Sequence, residues 1–186
     1  MLAIDQTGAF PFTTNAGTAE VKGFELEANA ILAPGLQLDF GGSFQDATLT
    51  EDQPLIPNNP NLGKNGDRLP NVPRVQFNAA LTYSFAVGGA AEMSLRGDVS
   101  HRGKTDTQFN NAASNTIPNG FNVPLDAYDL VNLRANLSWN DWVVGLFAKN
   151  VTDERAEVDA IASSQDPLAR ITTRPRTVGL AVTKTF

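Results

Sequence analysis

Apolar and polar residues alternate along most of this chain with a period of two, the spacing of an amphipathic β-strand rather than of a helix. In residues 18–32, Phe24, Leu26, Ala28, Ala30 and Leu32 share one face, while Glu25, Glu27 and Asn29 take the other. Pro34-Gly35 follows as a tight turn, because proline fixes φ and glycine tolerates positive φ. Residues 36–48 resume with Leu36, Leu38, Phe40 and Phe44 against Gln37, Asp39, Ser43 and Gln45. Residues 50–73 break the pattern with Pro54, Pro57, Pro60, Pro70 and Pro73. Proline cannot donate to a ladder, so a long loop is predicted there.

Residues 74–86 and 91–102 alternate most clearly, joined by the short turn Val87-Gly88-Gly89-Ala90. Val75, Phe77, Ala79, Leu81, Tyr83 and Phe85 line one face of the first. In the second, Ala91, Met93, Leu95, Gly97 and Val99 alternate with Glu92, Ser94, Arg96, Asp98, Ser100 and Arg102. That polar row suits a strand with lipid on one side and a wet lumen on the other. After a second long, polar loop at 103–124, residues 127–139 and 142–151 form a hairpin about Asn140-Asp141, residues that tolerate left-handed φ. Residues 152–174 are a third long loop. The last strand, 176–186, aligns Val178, Leu180, Val182 and Phe186.

Connections therefore alternate between short and long. Outer-membrane barrels do the same, with short periplasmic turns and longer extracellular loops. On this reading residues 5–17 are another outer loop and residues 1–4 the stub of a strand. Trp139 and Trp142 flank the Asn140-Asp141 turn on the apolar face, where an interfacial aromatic girdle belongs, with Phe186 anchoring the rim. A soluble hairpin with cross-strand tryptophans in its core explains the same pair.

Composition narrows the choice. No run of about 18 apolar residues exists, so no membrane-spanning helix is available. A membrane role then requires a β-barrel, the other solution that satisfies the backbone. The hydrophobic fraction is 41%, below the globular average of about 45–50%. The chain has no cysteine, which removes disulfides, thiolate metal sites and a cysteine nucleophile. Net charge is −6, and no Lys/Arg cluster is long enough to track phosphates, so nucleic acid is not an expected partner. Met1-Leu2-Ala3-Ile4-Asp5 lacks the basic and apolar regions of a secretion signal. Either the start is missing or the membrane reading fails.

Candidate chemistry is sparse. His101 is the only histidine, and its neighbour Ser100 points to the opposite face of a strand, so the two make no nucleophile–base pair. No phosphate loop and no metal-ligand spacing appear, and no cofactor is expected. Glu25, Glu27, Asp39, Arg74, Glu92, Arg96, Asp98, Arg134 and Lys149 are predicted to point into a lumen. There they solvate the wall, pair across strands or touch whatever fills the barrel.

Several segments, in order, resemble the TonB-dependent receptor family of outer-membrane barrels. They are Asn15-Ala16-Gly17 with Gly23-Phe24-Glu25-Leu26-Glu27, Gly66-Asp67-Arg68-Leu69-Pro70 with Pro73-Arg74, Leu146-Phe147 running into Asn150-Val151-Thr152-Asp153-Glu154-Arg155, and Arg174-Pro175-Arg176-Thr177 through Phe186. The resemblance implies an importer of scarce ligands, ferric siderophores above all, in the bacterial outer membrane. It implies a barrel of about 22 strands around a plug, energised by TonB through that plug. Val178, Leu180, Val182 and Phe186 would form its barrel-assembly signal. Lys184 departs from the pattern, standing where the family often has an aromatic.

The expected fold is thus all-β: an antiparallel transmembrane barrel fragment of about seven full strands, residues 1–186 being the C-terminal part of the barrel without plug or signal. Its expected partners are outer-membrane lipid, the remaining strands, the plug, TonB through the plug, and a small ligand such as a ferric siderophore. Alone it is expected to transport nothing. The competing readings are a complete barrel of about eight strands with a structural or adhesive role, which needs a full strand from residues 1–14, a soluble β-sandwich, and a barrel enzyme.

Overall fold

The computed structural model describes residues 2–4, 11–13, 17–54, 62–109, 122–161 and 169–186. The part of the first predicted loop at 5–10 and 14–16, including Asn15 and Ala16, lies outside them. So do the middles of the three long loops.

Seven long strands follow the predicted alternation closely: β1 (Ala19–Ala33), β2 (Leu36–Leu49), β3 (Val75–Gly88), β4 (Ala91–Arg102), β5 (Tyr128–Trp139), β6 (Trp142–Lys149) and β7 (Thr177–Lys184). They form one sheet in which each strand pairs with its neighbours in sequence, all antiparallel. Short turns make this order the cheap one, since closing a few residues costs little chain entropy. Gly35 at φ 75° and Asn140 at φ 50° take the left-handed positions that two of these turns require.

Register decides where each side chain points. Leu36, Tyr83, Leu95, Ala135, Leu146 and Leu180 lie opposite one another in turn across six strands. Directly beside that row but on the other face run Gln37, Thr82, Arg96, Arg134, Phe147 and Gly179. One slip of a residue would exchange the two faces. The whole sheet therefore presents one apolar side and one polar side.

The apolar side is uncovered. Phe24, Leu146, Val178 and Leu180 are each more than half exposed, and no second layer packs on this face among the described residues. A water-soluble chain would bury such a surface; hydrocarbon makes it stable as it stands. The β-sandwich reading fails here, because it needs a second sheet. The eight-strand reading lacks its extra strand among the described residues: Leu2–Ile4 pairs with Pro11–Thr13 in a separate two-stranded ladder. The main sheet does not close, since β1 and β7 are its two edges.

Burial concentrates at the loop end. Ala47 and Leu49 at the top of β2 are buried, as are Leu62, Val123 and Leu125 in the loops. β3 pairs with β2 only up to Phe44, so the loop itself covers the rest. Leu49 N–H donates to Asp67 O at 2.9 Å, Gly66 N–H to Leu49 O at 2.9 Å and Leu69 N–H to Ala47 O at 2.9 Å. A Cβ on Gly63 would meet Leu49 at 2.4 Å and Phe109 at 2.8 Å, so two loops close on Leu49. The predicted loops are not featureless. Thr105–Asp106 pairs with Pro124–Leu125, and Glu157–Ile161 with Ala169–Thr172.

Candidate functional site: the polar wall and its two rims

The polar face carries most of the charged residues predicted for a lumen. A network crosses four strands at its centre. Arg96 Nη1 on β4 donates to Asp39 Oδ2 at 3.0 Å and to Thr82 Oγ1 at 2.9 Å. Asp39 Oδ1 accepts from Asn29 Nδ2 at 2.9 Å and Gln37 Nε2 at 2.8 Å. Arg96 and Arg134 face each other across β4 and β5. Like charges so placed repel, and Arg96 turns toward Asp39, away from Arg134.

This leaves charge unbalanced on either side. Toward β6, Arg134 and Lys149 have no ion pair among the described residues, and Lys149 Nζ rests 5.6 Å from the centre of the Phe147 ring. With Asn136 and Thr183 they border a recess of about 320 Å³ around Gly145. Gly179 makes room for Phe147: a Cβ there would come within 2.4 Å of the ring. Toward β1, Glu25 and Glu27 likewise have no ion pair among the described residues. They border a recess of about 390 Å³ with Ser43, Gln76, Asn78 and Ser100, floored by Gly41 and Gly42. The Ser43 hydroxyl there is buried with no hydrogen-bond partner. Glu92 stands near the turn end, opposite Ser138.

Asp98 carries the wall into the loops. Its Oδ2 accepts from Asn132 Nδ2 at 2.7 Å, and Asn132 Oδ1 accepts from the Asn150 N–H at 2.9 Å. Asn150, 5% exposed and at φ 50°, is the hub of the last loop. Its Nδ2 donates to Glu154 O at 2.9 Å and Arg174 O at 2.8 Å, and its Oδ1 accepts from Glu154 N–H at 2.9 Å. Asp153 Oδ1 accepts from Arg176 N–H at 2.8 Å. That bond, then Arg155 beside it, holds the Asp153 carboxyl below the usual carboxylate range. Asp52 is lowered likewise, by the Asn65 N–H and then Lys64. The Asn150 side chain is thus structural in this chain. The one-dimensional pattern does not show this hub, because its partners lie up to 24 residues away.

At the loop-end rim Arg74 Nη2 reaches Asp46 Oδ1 at 3.3 Å, next to Arg68 Nη1 at 2.9 Å. Arg74 therefore belongs to the rim and not to the middle of the wall. His101 sits at this end as well, on the apolar face. It stacks on Phe77 at 5.0 Å, with Nδ1 2.9 Å from Asp129 Oδ1. Ser100 faces the polar side, in register with Asn78.

At the opposite rim Trp139 and Trp142 are directly paired and exposed on the apolar face. Val178, Leu180 and Val182 continue that face along β7, whose outer edge is unpaired, and Phe186 beyond it is fully exposed. Lys184 lies between Trp142 and Phe186, 5.1 Å and 4.9 Å from the ring centres.

A family model described as TonB dependent receptor-like, beta-barrel, matches residues 2–151. Among solved structures the chain is similar to the ferric yersiniabactin uptake receptor FyuA from Yersinia pestis, at 20% identity and TM-score 0.73, over 92% of this chain and 24% of that one. It is similar to the ferric-catecholate import receptor Fiu from E. coli K12, at 16% identity and TM-score 0.68, over 100% and 23%. A third is BauA, the ferric preacinetobactin receptor from Acinetobacter baumannii, at 19% identity and TM-score 0.63, over 99% and 25%. At these identities the likeness is one of fold. The chain spans about a quarter of the length of the structures it matches. The search of curated proteins gave no match.

Proposed function

Because the chain belongs to the TonB-dependent receptor β-barrel family, we propose that residues 1–186 form the C-terminal part of the wall of an outer-membrane importer whose cargo is a ferric siderophore or a similarly scarce nutrient. One observation supports this above others: an apolar row and a polar row run in unbroken register across the strands. That pattern suits hydrocarbon outside and a wet, filled lumen inside. The short turns would then face the periplasm and the long loops the exterior.

The chain's part in transport is passive and electrostatic. The Asp39–Arg96 network stiffens the wall. Glu25 and Glu27 on one side, and Arg134 and Lys149 on the other, offer uncompensated charge to the plug or to passing ligand. Energy reaches the receptor through TonB acting on the plug. Ferric siderophores are the favoured cargo because the similar structures bear that kind of ligand in their names.

Uptake of radiolabelled ferric siderophore under iron limitation tests the reading. Cells carrying the whole protein that includes this wall should show TonB-dependent uptake, and cells carrying the 186-residue chain alone should show none. TonB-dependent uptake by the chain alone would refute the wall assignment.

A further inference from the structure

We propose that the turn-end rim of the apolar face binds one anionic phospholipid, with its phosphate on Lys184 and an acyl chain in the trough around Gly97, Ala135 and Ala148. The inference rests on the membrane reading above and adds a lipid site to it.

Lys184 stands on the apolar row, opposite Trp142 in the β6–β7 ladder. Its ammonium is held 5.1 Å from the Trp142 ring centre and 4.9 Å from that of Phe186, and no carboxylate lies within ion-pair distance among the described residues. The nearby Asp141 offers its backbone carbonyl to Thr185 N–H at 2.9 Å. A cation beside hydrocarbon without a counter-ion is costly. Two aromatic faces offset part of that cost and leave ammonium donors free. A headgroup phosphate at the interface supplies the missing anion. A zwitterionic headgroup brings its own cation and competes with Lys184, so a net-negative lipid is favoured.

A second feature fixes where the chain of that lipid goes. The apolar face carries a trough of about 600 Å³, bordered by Leu95, Leu133 and Leu146, where Gly97 has no side chain and Ala135 and Ala148 have short ones. Ala148, level with Gly97 through Leu133, is six residues along β6 from Trp142, about 20 Å of strand at 3.3 Å per residue and about 15 Å of depth at a strand tilt of about 40°. That depth matches the half-thickness of a hydrocarbon core, about 15 Å. An acyl chain tethered at Lys184 thus reaches the trough.

The whole protein carrying this chain is placed in nanodiscs of phosphatidylglycerol and phosphatidylcholine with matched chains, and the lipid retained on extraction is counted by native mass spectrometry. Phosphatidylglycerol should be retained about fivefold over phosphatidylcholine, the ratio one basic residue at a membrane surface supports. Lys184→Gln should abolish the preference and Lys184→Arg keep it. Gly97→Leu should lower retention of both lipids at an unchanged ratio. A Cβ at Gly97 makes only an ordinary 3.4 Å contact with the Leu133 side chain and meets no backbone. Equal retention of the two lipids, or a preference that Lys184→Gln leaves intact, overturns the phosphate site. Unchanged retention in Gly97→Leu overturns the acyl trough. A protein that does not enter nanodiscs refutes the membrane reading and the lipid site with it.

Discussion

Asn150 sits where the sheet hands over to its last loop, and its amide closes three backbone groups at once. Truncation to Ala leaves the Arg174 carbonyl and the Glu154 N–H without that partner, while the Glu154 carbonyl keeps the Thr173 hydroxyl. An unsatisfied buried group costs about 1–3 kcal/mol, and a non-glycine residue at positive φ adds about 1 kcal/mol. Asn150→Ala is expected to destabilise the protein by at least about 2 kcal/mol, read as a lowered urea midpoint in lipid. A midpoint shift near zero would show that the hub is dispensable. Asp153, two positions on from Val151, makes the same loop acid-sensitive. Its folded pKa is lowered, so its contribution is complete above the unfolded value of about 3.9 and is lost as pH falls through the lowered folded value. Proteolytic nicking of the loop between Asp153 and Arg176 should stay constant from about pH 7 to pH 5 and rise below about pH 4. Asp153→Asn should remove the acid response, since its neutral oxygen still accepts the Arg176 N–H. A response that survives the substitution would assign the acid sensitivity to another group.

Within an element, alternation makes neighbours unequal. Ser94 and Leu95 are adjacent on β4 at one depth, Ser94 facing Ser84 and Asn136, Leu95 facing Tyr83 and Ala135 on the other side. Arginine on the lipid face near the midplane costs about 2–4 kcal/mol, and a lumen position costs far less. Leu95→Arg should lower stability by that amount, Ser94→Arg by less than about 1 kcal/mol, both measured by chemical unfolding in bilayers. Equal losses would contradict the assignment of the faces. These faces were legible in the sequence because a period of two needs no tertiary information. The long loops were less so. Proline and asparagine mark 50–73 and 103–124 as irregular, yet the pairing of Thr105–Asp106 with Pro124–Leu125 joins positions whose partners are not adjacent in sequence. The burial of Leu49 is likewise set by a loop that returns 18 residues later, through the Asp67 carbonyl.

At the scale of the whole sheet, β1 and β7 are edges with no further strand paired to them among the described residues, and such edges template association. The chain refolded alone in detergent should form multimers by light scattering. A monomer with heat-modifiable mobility would instead point to a closed small barrel. Glu25 and Glu27 toward one edge of the sheet, and Arg134 and Lys149 toward the other, have no ion pair among the described residues. From its sequence alone this protein is an antiparallel sheet with one apolar and one polar face and alternating short and long connections. Hydrophobic spacing and turn chemistry are local properties, so they survive being read along a line. The tertiary structure alone decided that Arg96 turns to Asp39 and leaves Arg134 without an ion pair among the described residues. It alone brought Arg74 to Asp46 at the rim, made Asn150 the hub of a loop, and set Lys184 between two aromatic rings. Each of these depends on register and chain return, which bring together residues whose partners the one-dimensional pattern does not encode.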